Sequence, residues 1–307
     1  MKAKRLRDRE EFLAPALLMP VILYIVLLVG FPFIMSFIFS LSNVTVGNPQ
    51  FKIIGLQNFI QIINDQAFRT SLVNTFIFTF VSMTLVIVFG HILAELLRQK
   101  FRFKWLVRFL ILLPWTTPIA LGTIGFLWFY DSLYSPIDWL LRTVGLLGHP
   151  GALLGANSNM YWLGRPYLAM FAVIVVHVWR LLPLAAIILL AGMNSIPQDI
   201  VEAAKMDGAG YFRRLFEIVL PLLLPVIGIT LLFGTFFTFT NMDVVWILTK
   251  GGPPPNSTQV LATLAFLDGI EGGDLAKGAA IAIFFFPVLA GIAGIVLRMV
   301  KSAVEKW

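Results

Sequence analysis

The chain has 307 residues, 59% hydrophobic and 13% charged, with a formal net charge of +7 and a mean hydropathy of +0.88. A soluble domain of this length needs far more charge to cover its surface, so the composition is that of a membrane protein. The lack of cysteine excludes disulfide frameworks and thiolate metal sites.

A hydrocarbon core of roughly 30 Å calls for about 20 apolar residues per crossing helix. In chain order, six stretches meet that requirement: 12–40, 71–97, 105–130, 167–193, 219–239 and 276–300. Backbone amides in lipid must pair within their own segment, so each stretch is expected to be a helix. The ten-residue alternation of a membrane barrel is missing. The expected fold class is therefore an all-α membrane protein with six transmembrane helices. It is expected to form one domain over 1–307, with a tail at 1–11, a first helix at 12–40 and a core at 71–300.

The first stretch follows "MKAKRLRDREE", which looks like the basic front of a signal peptide. Its apolar run is about twice the length of a signal core and shows no A-x-A site, so it is expected to stay as a helix. Basic residues then orient the chain. Lys2, Lys4, Arg5, Arg7 and Arg9 precede the first helix, and Arg98, Lys100, Arg102, Lys104 and Arg108 crowd the second loop. Lys205, Arg213 and Arg214 follow in the fourth loop, and Arg298, Lys301 and Lys306 in the tail. By the positive-inside rule both termini are expected in the cytoplasm. The positive balance is thus a topology signal and implies no nucleic acid.

The fourth loop, 194–218, interrupts the oily pattern with "EAAKMDGAGYFRRLFEIVLPLLLP", residues 202–225. Upstream, Ser195, Pro197 and Gln198 read as a capping-box start for a short helix. Ile200, Ala203, Ala204 and Asp207 fall on one face, where small side chains let another body approach the backbone. Gly208 permits a sharp reversal. A second short helix is expected from Tyr211, with Tyr211, Leu215 and Ile218 turned inward. Pro221 and Pro225 fit the start of the fifth membrane helix. An ordinary loop packed under the bundle is the alternative reading.

The spacing from Glu202-Ala203-Ala204 through Gly208 to Ile218-x-Leu220-Pro221 resembles the EAA motif of ABC-importer permeases. Asp207-Gly208-Ala209 and Pro225 match its carbohydrate-uptake (MalF/UgpA-like) branch. "VWRLLPLAAIILLAGMNSIP" (178–197), "LTKGGPPPNST" (248–258), "GLQNF" (55–59) and "LLPWTTP" (112–118) extend the resemblance over most of 12–300. It implies the type I ABC-importer permease fold, with the fourth loop as a coupling helix docked on an ATP-binding subunit. Implied partners are a second homologous permease subunit, two ATP-binding subunits, an extracytoplasmic sugar-binding protein and membrane lipid, in the inner membrane of a prokaryote. No G-x-x-x-x-G-K-[ST] is present, so this chain is expected to bind no cofactor itself; ATP and Mg belong to the partner ATPase subunits.

Intramembrane polar residues are functional suspects. The fourth helix carries His177, Trp179 and Arg180; the fifth carries Thr235, Thr238, Thr240, Asn241 and Asp243, interleaved with Phe237 and Phe239. Aromatic faces beside hydroxyl, amide and carboxylate groups suit a polyhydroxylated ligand. The family resemblance places the path at His177, Arg180, Leu184, Phe237, Thr238 and Asn241, with Gly234 and Asp243 nearby. Trp179 is either part of it or a packing residue. Arg180 is expected to face a wet cavity or to pair with Asp243. His91 and Glu95 stand at metal-ligand spacing but lack a third ligand, so an internal polar contact is expected and no metal site. No catalytic residue is expected, since no nucleophile–base pair is apparent. The long loop 131–166 reads either as a contact for the binding protein or as a lid on its own bundle. The rival function is an ion-coupled secondary transporter, which calls for inverted repeats that are not evident here.

Overall fold

The computed structural model describes residues 10–48 and 51–304. Lys2, Lys4, Arg5, Arg7, Arg9 and Lys306 lie outside that range, as does most of the expected tail. Every long element among the described residues is helical; an isolated antiparallel bridge joins Ser42 and Ile53. The described residues fall into two compact units: those of Met1–Asn64 with Ala265–Phe285, and those of Asp65–Leu264 with Phe286–Trp307.

The first unit holds helix α1 (Leu13–Ser40) and the short α2 (Gln57–Asn64). No residue in the apolar window of α1 is buried. Within "GLQNF", the Asn58 amide donates to the carbonyls of Ser40 (2.9 Å) and Ser42 (2.7 Å). It thereby satisfies acceptors that the end of α1 leaves open.

In the second unit, α3 (Gln66–Arg98) begins on the Asp65 side chain, which accepts the Ala67 amide at 2.9 Å. Its buried stripe includes Ser71, Thr75, Phe78, Ser82, Val86, Gly90 and Ala94, at steps of three and four. This stripe packs along helix α7, for which a later range is needed: α4 (Lys104–Thr116), α5 (Ile119–Phe129) and α6 (Pro136–Thr143) intervene, and α7 runs Pro166–Ser195. Gly90 sets the approach. A Cβ placed there would lie 3.4 Å from the Ala185 methyl, the close backbone contact that small residues allow between membrane helices. With 61% of its apolar window buried against 33% for α3, α7 is the central span of this unit.

The expected single helix over 105–130 is instead two, α4 and α5, crossing at 94°. The cause is Pro118. A residue before proline is driven out of the helical region, and Thr117 sits at φ −70°, ψ 133°. The Thr117 hydroxyl donates to Leu113 O (2.6 Å) and that of Thr116 to Leu112 O (3.3 Å), so side chains take up carbonyls freed by the break. Pro114 and Pro183 remain inside α4 and α7 without breaking either.

Beyond α7 come α8 (Gln198–Met206) and α9 (Tyr211–Phe239), then α10 (Asp243–Thr249), α11 (Leu261–Phe266) and α12 (Leu275–Val304). The short helix expected from Tyr211 is present at Tyr211–Arg214 but is not separate, since it forms the first turn of α9. Continuity is preserved by a π-turn at Leu215–Val219, closed by the Leu220 amide on Leu215 O immediately before Pro221. In α1 the same arrangement recurs at Val26–Gly30, before Pro32. A proline ring clashes with the carbonyl four residues back, and a wider turn ahead of it moves that carbonyl aside.

Candidate substrate path and coupling loop

Helices α7 and α9 meet through His177 and Thr238. The Thr238 hydroxyl donates to Gly234 O at 2.7 Å, so at the 2.8 Å contact with His177 it accepts from the Nε2–H. That assigns the tautomer: Nδ1 is the bare acceptor, and it is buried without a partner among the described residues. His177 is 1% exposed, with its ring 4.8 Å from that of Phe78. Asn241 is also buried, and its Oδ1 accepts the Val244 amide at 3.3 Å, tying the end of α9 to the start of α10. These three polar residues therefore bind the helices to one another.

In front of them lies a more open group. The Arg180 guanidinium stands 5.6 Å from the centre of the Trp115 ring, a cation–π arrangement, and Trp115 meets Phe237 edge-on at 6.1 Å. Phe237 is 43% exposed, and it shares a cleft with Leu184, Leu181 and Gly234. Asp243 is exposed and acts on Arg180 electrostatically; they make no ion pair within 4.0 Å among the described residues. Trp179 faces elsewhere, against α5: its ring lies edge-on to Phe126 at 5.1 Å and close to Gly122. The eight path residues of the sequence reading thus divide. Leu184 and Phe237 line the cleft and Asp243 is exposed; Arg180 is half-buried, its Nε enclosed without a hydrogen-bond partner among the described residues; His177, Thr238 and Asn241 are buried behind them, and Trp179 packs on α5.

Trp115 escaped the sequence reading, although it lies inside the quoted "LLPWTTP"; only the break at Pro118 shows why it projects toward Arg180. Asn74 was also missed. Its amide donates to three carbonyls of the loop after α10: Asn256 (2.9 Å), Ser257 (3.3 Å) and Gln259 (3.0 Å). Next to it, the Thr75 hydroxyl accepts the Leu261 amide at 2.9 Å. The loop is closed on itself by a Thr249–Thr258 hydroxyl bond of 2.7 Å. As for His91, the buried ring nitrogens have no hydrogen-bond partner among the described residues, so the expected polar contact is reduced to the charge of Glu95.

The segment 131–166 is folded on itself. Asp138, 1% exposed, accepts from Trp162 Nε1 (2.8 Å) and from the Met160 amide (3.0 Å). Arg142 donates to Ser158 O and to Asn159 Oδ1. His149 faces two carbonyls, Gly145 O from Nε2 (2.8 Å) and Pro150 O from Nδ1 (3.1 Å), and only the doubly protonated imidazolium can donate to both. Those bonds, first to Pro150 and then to Gly145, raise its pKa above the usual 6.5. A raised pKa stabilises the fold below the unfolded value and ceases to do so as pH climbs through the folded one. The protection factors of the Leu146 and Leu154 amides, taken relative to their base-catalysed intrinsic exchange, are therefore expected to be highest below pH ~6.5 and to fall above it, and His149→Gln to abolish that fall.

The fourth loop is built differently from the capping-box expectation. Ser195 ends α7 and donates to Gly192 O at 2.8 Å; Pro197 stands at the N-cap of α8 with no side-chain bond. The Gln198 amide reaches Glu202 one turn on and so is not available to the start of the helix. At the other end, Gly208 has φ +76°; its amide donates to Lys205 O (3.0 Å) and the Ala209 amide to Ala204 O (2.9 Å). This pair of bonds is a Schellman cap. Ala204 is buried, whereas Glu202, Ala203, Met206 and Asp207 are exposed, so the expected small-residue face is open except at Ala204. Ile218, Leu220 and Pro221 are half-buried along the π-turn and the start of the regular helix.

Residues 86–304 match the family described as binding-protein-dependent transport system inner membrane component. The chain is 30% identical to the trehalose/maltose transport system permease protein MalF of Thermococcus litoralis, over 96% of each chain. It is likewise 30% identical to the sulfoquinovosyl glycerol transport system permease protein SmoG of Agrobacterium fabrum, covering 95% of this chain and 92% of that relative. Its fold is similar to that of a bacterial ABC transporter involved in import of the acidic polysaccharide alginate, with TM-score 0.79 and 20% identity over 95% of this chain and 96% of the other. A second structure of an alginate ABC transporter, in complex with an alginate pentasaccharide-bound periplasmic protein, gives TM-score 0.71 at 20% identity over 95% and 93%. Spans, motifs and likeness agree: the chain belongs to the family of inner membrane components of binding-protein-dependent transport systems.

Proposed function

We propose that the chain is one of two membrane-spanning halves of an ATP-driven carbohydrate importer, with both termini in the cytoplasm. It works as one transport domain that makes and breaks no bond in the sugar. The carrying observation is α8: a short helix, capped at Gly208, whose Ala203, Met206 and Asp207 stand exposed between two membrane spans. An ATP-binding subunit that seats this helix moves α7 and α9 together, because α8 is joined to both by a few residues. Glu202, Ala203, Ala204, Asp207, Gly208 and Ala209 form the seated element, and Ile218, Leu220 and Pro221 pass the motion into α9. ATP and Mg remain on two such subunits. A homologous permease completes the path against α1, and an extracytoplasmic binding protein delivers the sugar.

Carbohydrate as cargo is supported by the sugars named for the relatives and by the cluster of half-buried Arg180 and Trp115 with exposed Phe237 and Asp243. Aromatic faces cover sugar C–H surfaces, and a guanidinium and a carboxylate bond hydroxyls. His177, Thr238 and Asn241 hold those groups in place, and Leu184 closes the cleft. Arg180→Ala and Phe237→Ala are each expected to lower sugar uptake. For Arg180, loss of a charge-assisted hydrogen bond corresponds to about 10- to 100-fold.

The deciding experiment reconstitutes the complete complex in proteoliposomes with the binding protein and a panel of sugars. Uptake that requires internal ATP and the binding protein is the expected result. Uptake driven by an ion gradient with no ATP would overturn the reading.

A further inference from the structure

Beside α8 lies a cleft of about 190 Å³, lined by Arg98, Lys205, Arg214, Tyr211 and Glu95 above aliphatic side chains that include Val201 and Leu215. It is separate from the face of α8 proposed above to seat the ATP-binding subunit. Val201 and Lys205 stand four apart on the flank of α8 that borders the cleft, whereas Ala203 and Met206 are exposed on the opposite flank. Three cations face one carboxylate there. The Arg98 guanidinium and the Lys205 ammonium have no hydrogen-bond or ion-pair partner among the described residues. Arg214 is held in place by its bond to Ala209 O at 2.6 Å, which occupies one of its five donors. Arg98 ends α3 and Arg214 lies in the first turn of α9, so the cleft sits where two spans leave the bilayer.

Basic pockets between span ends at a cytoplasmic surface are suited to anionic headgroups. We propose that this cleft is an anion site that takes a phosphate group, a chemistry shared by an acidic phospholipid headgroup and a soluble phosphate ester. Its occupant bridges Lys205 and Arg214 around the Gly208 turn to Arg98 at the end of α3, and so braces the coupling helix against the bundle. That consequence rests on the role of α8 proposed above; the site itself does not.

The test uses the whole complex in nanodiscs of phosphatidylcholine alone, or of phosphatidylcholine and phosphatidylglycerol in equal parts. Retained phosphatidylglycerol is counted by native mass spectrometry, and ATP hydrolysis is measured with and without binding protein. The wild type is expected to retain the acidic lipid. The double variant Arg98→Gln/Lys205→Gln, which removes no internal bond, should hold it about 30-fold more weakly, as two cations near a membrane surface imply. Lys100→Gln/Arg102→Gln, whose side chains do not line the cleft, should match the wild type. In the phosphatidylcholine discs, inorganic phosphate is titrated as the second arm. Recovery of binding-protein-stimulated hydrolysis by phosphate assigns the site to a soluble ester, and recovery by phosphatidylglycerol alone assigns it to lipid. A cleft variant that keeps wild-type lipid retention and wild-type phosphate response would overturn the proposal. Loss of lipid retention without any change in stimulated hydrolysis would leave the site standing and overturn the brace.

Discussion

Replacing Gly208 with valine is expected to leave the protein inserted and assembled while uptake falls at least 10-fold and ATP hydrolysis stops responding to the binding protein. The argument is conformational and owes nothing to crowding, since a Cβ at Gly208 would meet no atom within 4 Å. At φ +76° the left-handed backbone costs an L-residue about 1–2 kcal/mol, and a β-branched side chain is the least tolerant of it. A strain of that size lowers the population of the closed Schellman turn by roughly 5- to 30-fold. With the turn open, the Gly208 and Ala209 amides release Lys205 O and Ala204 O, and the end of α8 no longer holds a fixed angle to α9. The ordering of variants is diagnostic. Gly208→Asn should keep most activity, because asparagine enters the left-handed region readily; Gly208→Ala should fall between. Hydrolysis and uptake measured in the same proteoliposomes check this. A valine variant with unchanged uptake would remove the coupling role from α8.

The spans were legible because lipid forces backbone bonds inward, so an apolar run of sufficient length has few alternatives to a helix. The third run shows the limit. Its composition is uniform, and only the pre-proline restriction at Thr117, with the Thr116 and Thr117 hydroxyls ready to take freed carbonyls, turns it by 94°. Hydropathy has no view of that bend, and with it went Trp115. In the fourth loop, Gly208 was read correctly as a reversal, since positive φ is a property of the residue itself. Ser195 was misread as a cap, because a serine at the end of one helix and a serine at the start of the next look alike in sequence. Among the path residues, type alone could not separate His177 and Thr238 from Arg180 and Phe237. All four are polar or aromatic on two facing spans, and only the 2.8 Å bond between the first pair shows which groups are already occupied.

Asn74 carries the strongest prediction on the side of the molecule away from α8. Asn74→Asp exchanges a double donor for an acceptor opposite three carbonyl oxygens, all within 3.3 Å of the present nitrogen. A buried polar group left without its bond costs about 1–3 kcal/mol, and more when charged. The carboxylate therefore expels the loop 256–259 from α3. Asn74→Ala removes the donor without adding repulsion and should have a smaller effect; Asn74→Ser, with one donor left, should have the least. The loop has its own closure through Thr249 and Thr258, and α3 has its own cap at Asp65, so neither element needs Asn74 to form. What the substitution removes is their registry. If this loop helps receive the binding protein, the aspartate variant needs at least 10-fold more binding protein for half-maximal stimulation of hydrolysis. Its basal hydrolysis, set by ATP-binding subunits seated at α8, stays within about two-fold of the wild type. Equal loss of basal and stimulated hydrolysis would mean that Asn74 supports the fold as a whole. An unchanged half-maximal concentration would place the binding protein elsewhere on this chain, and the segment braced by Asp138 and Trp162 would then be the surface to alter.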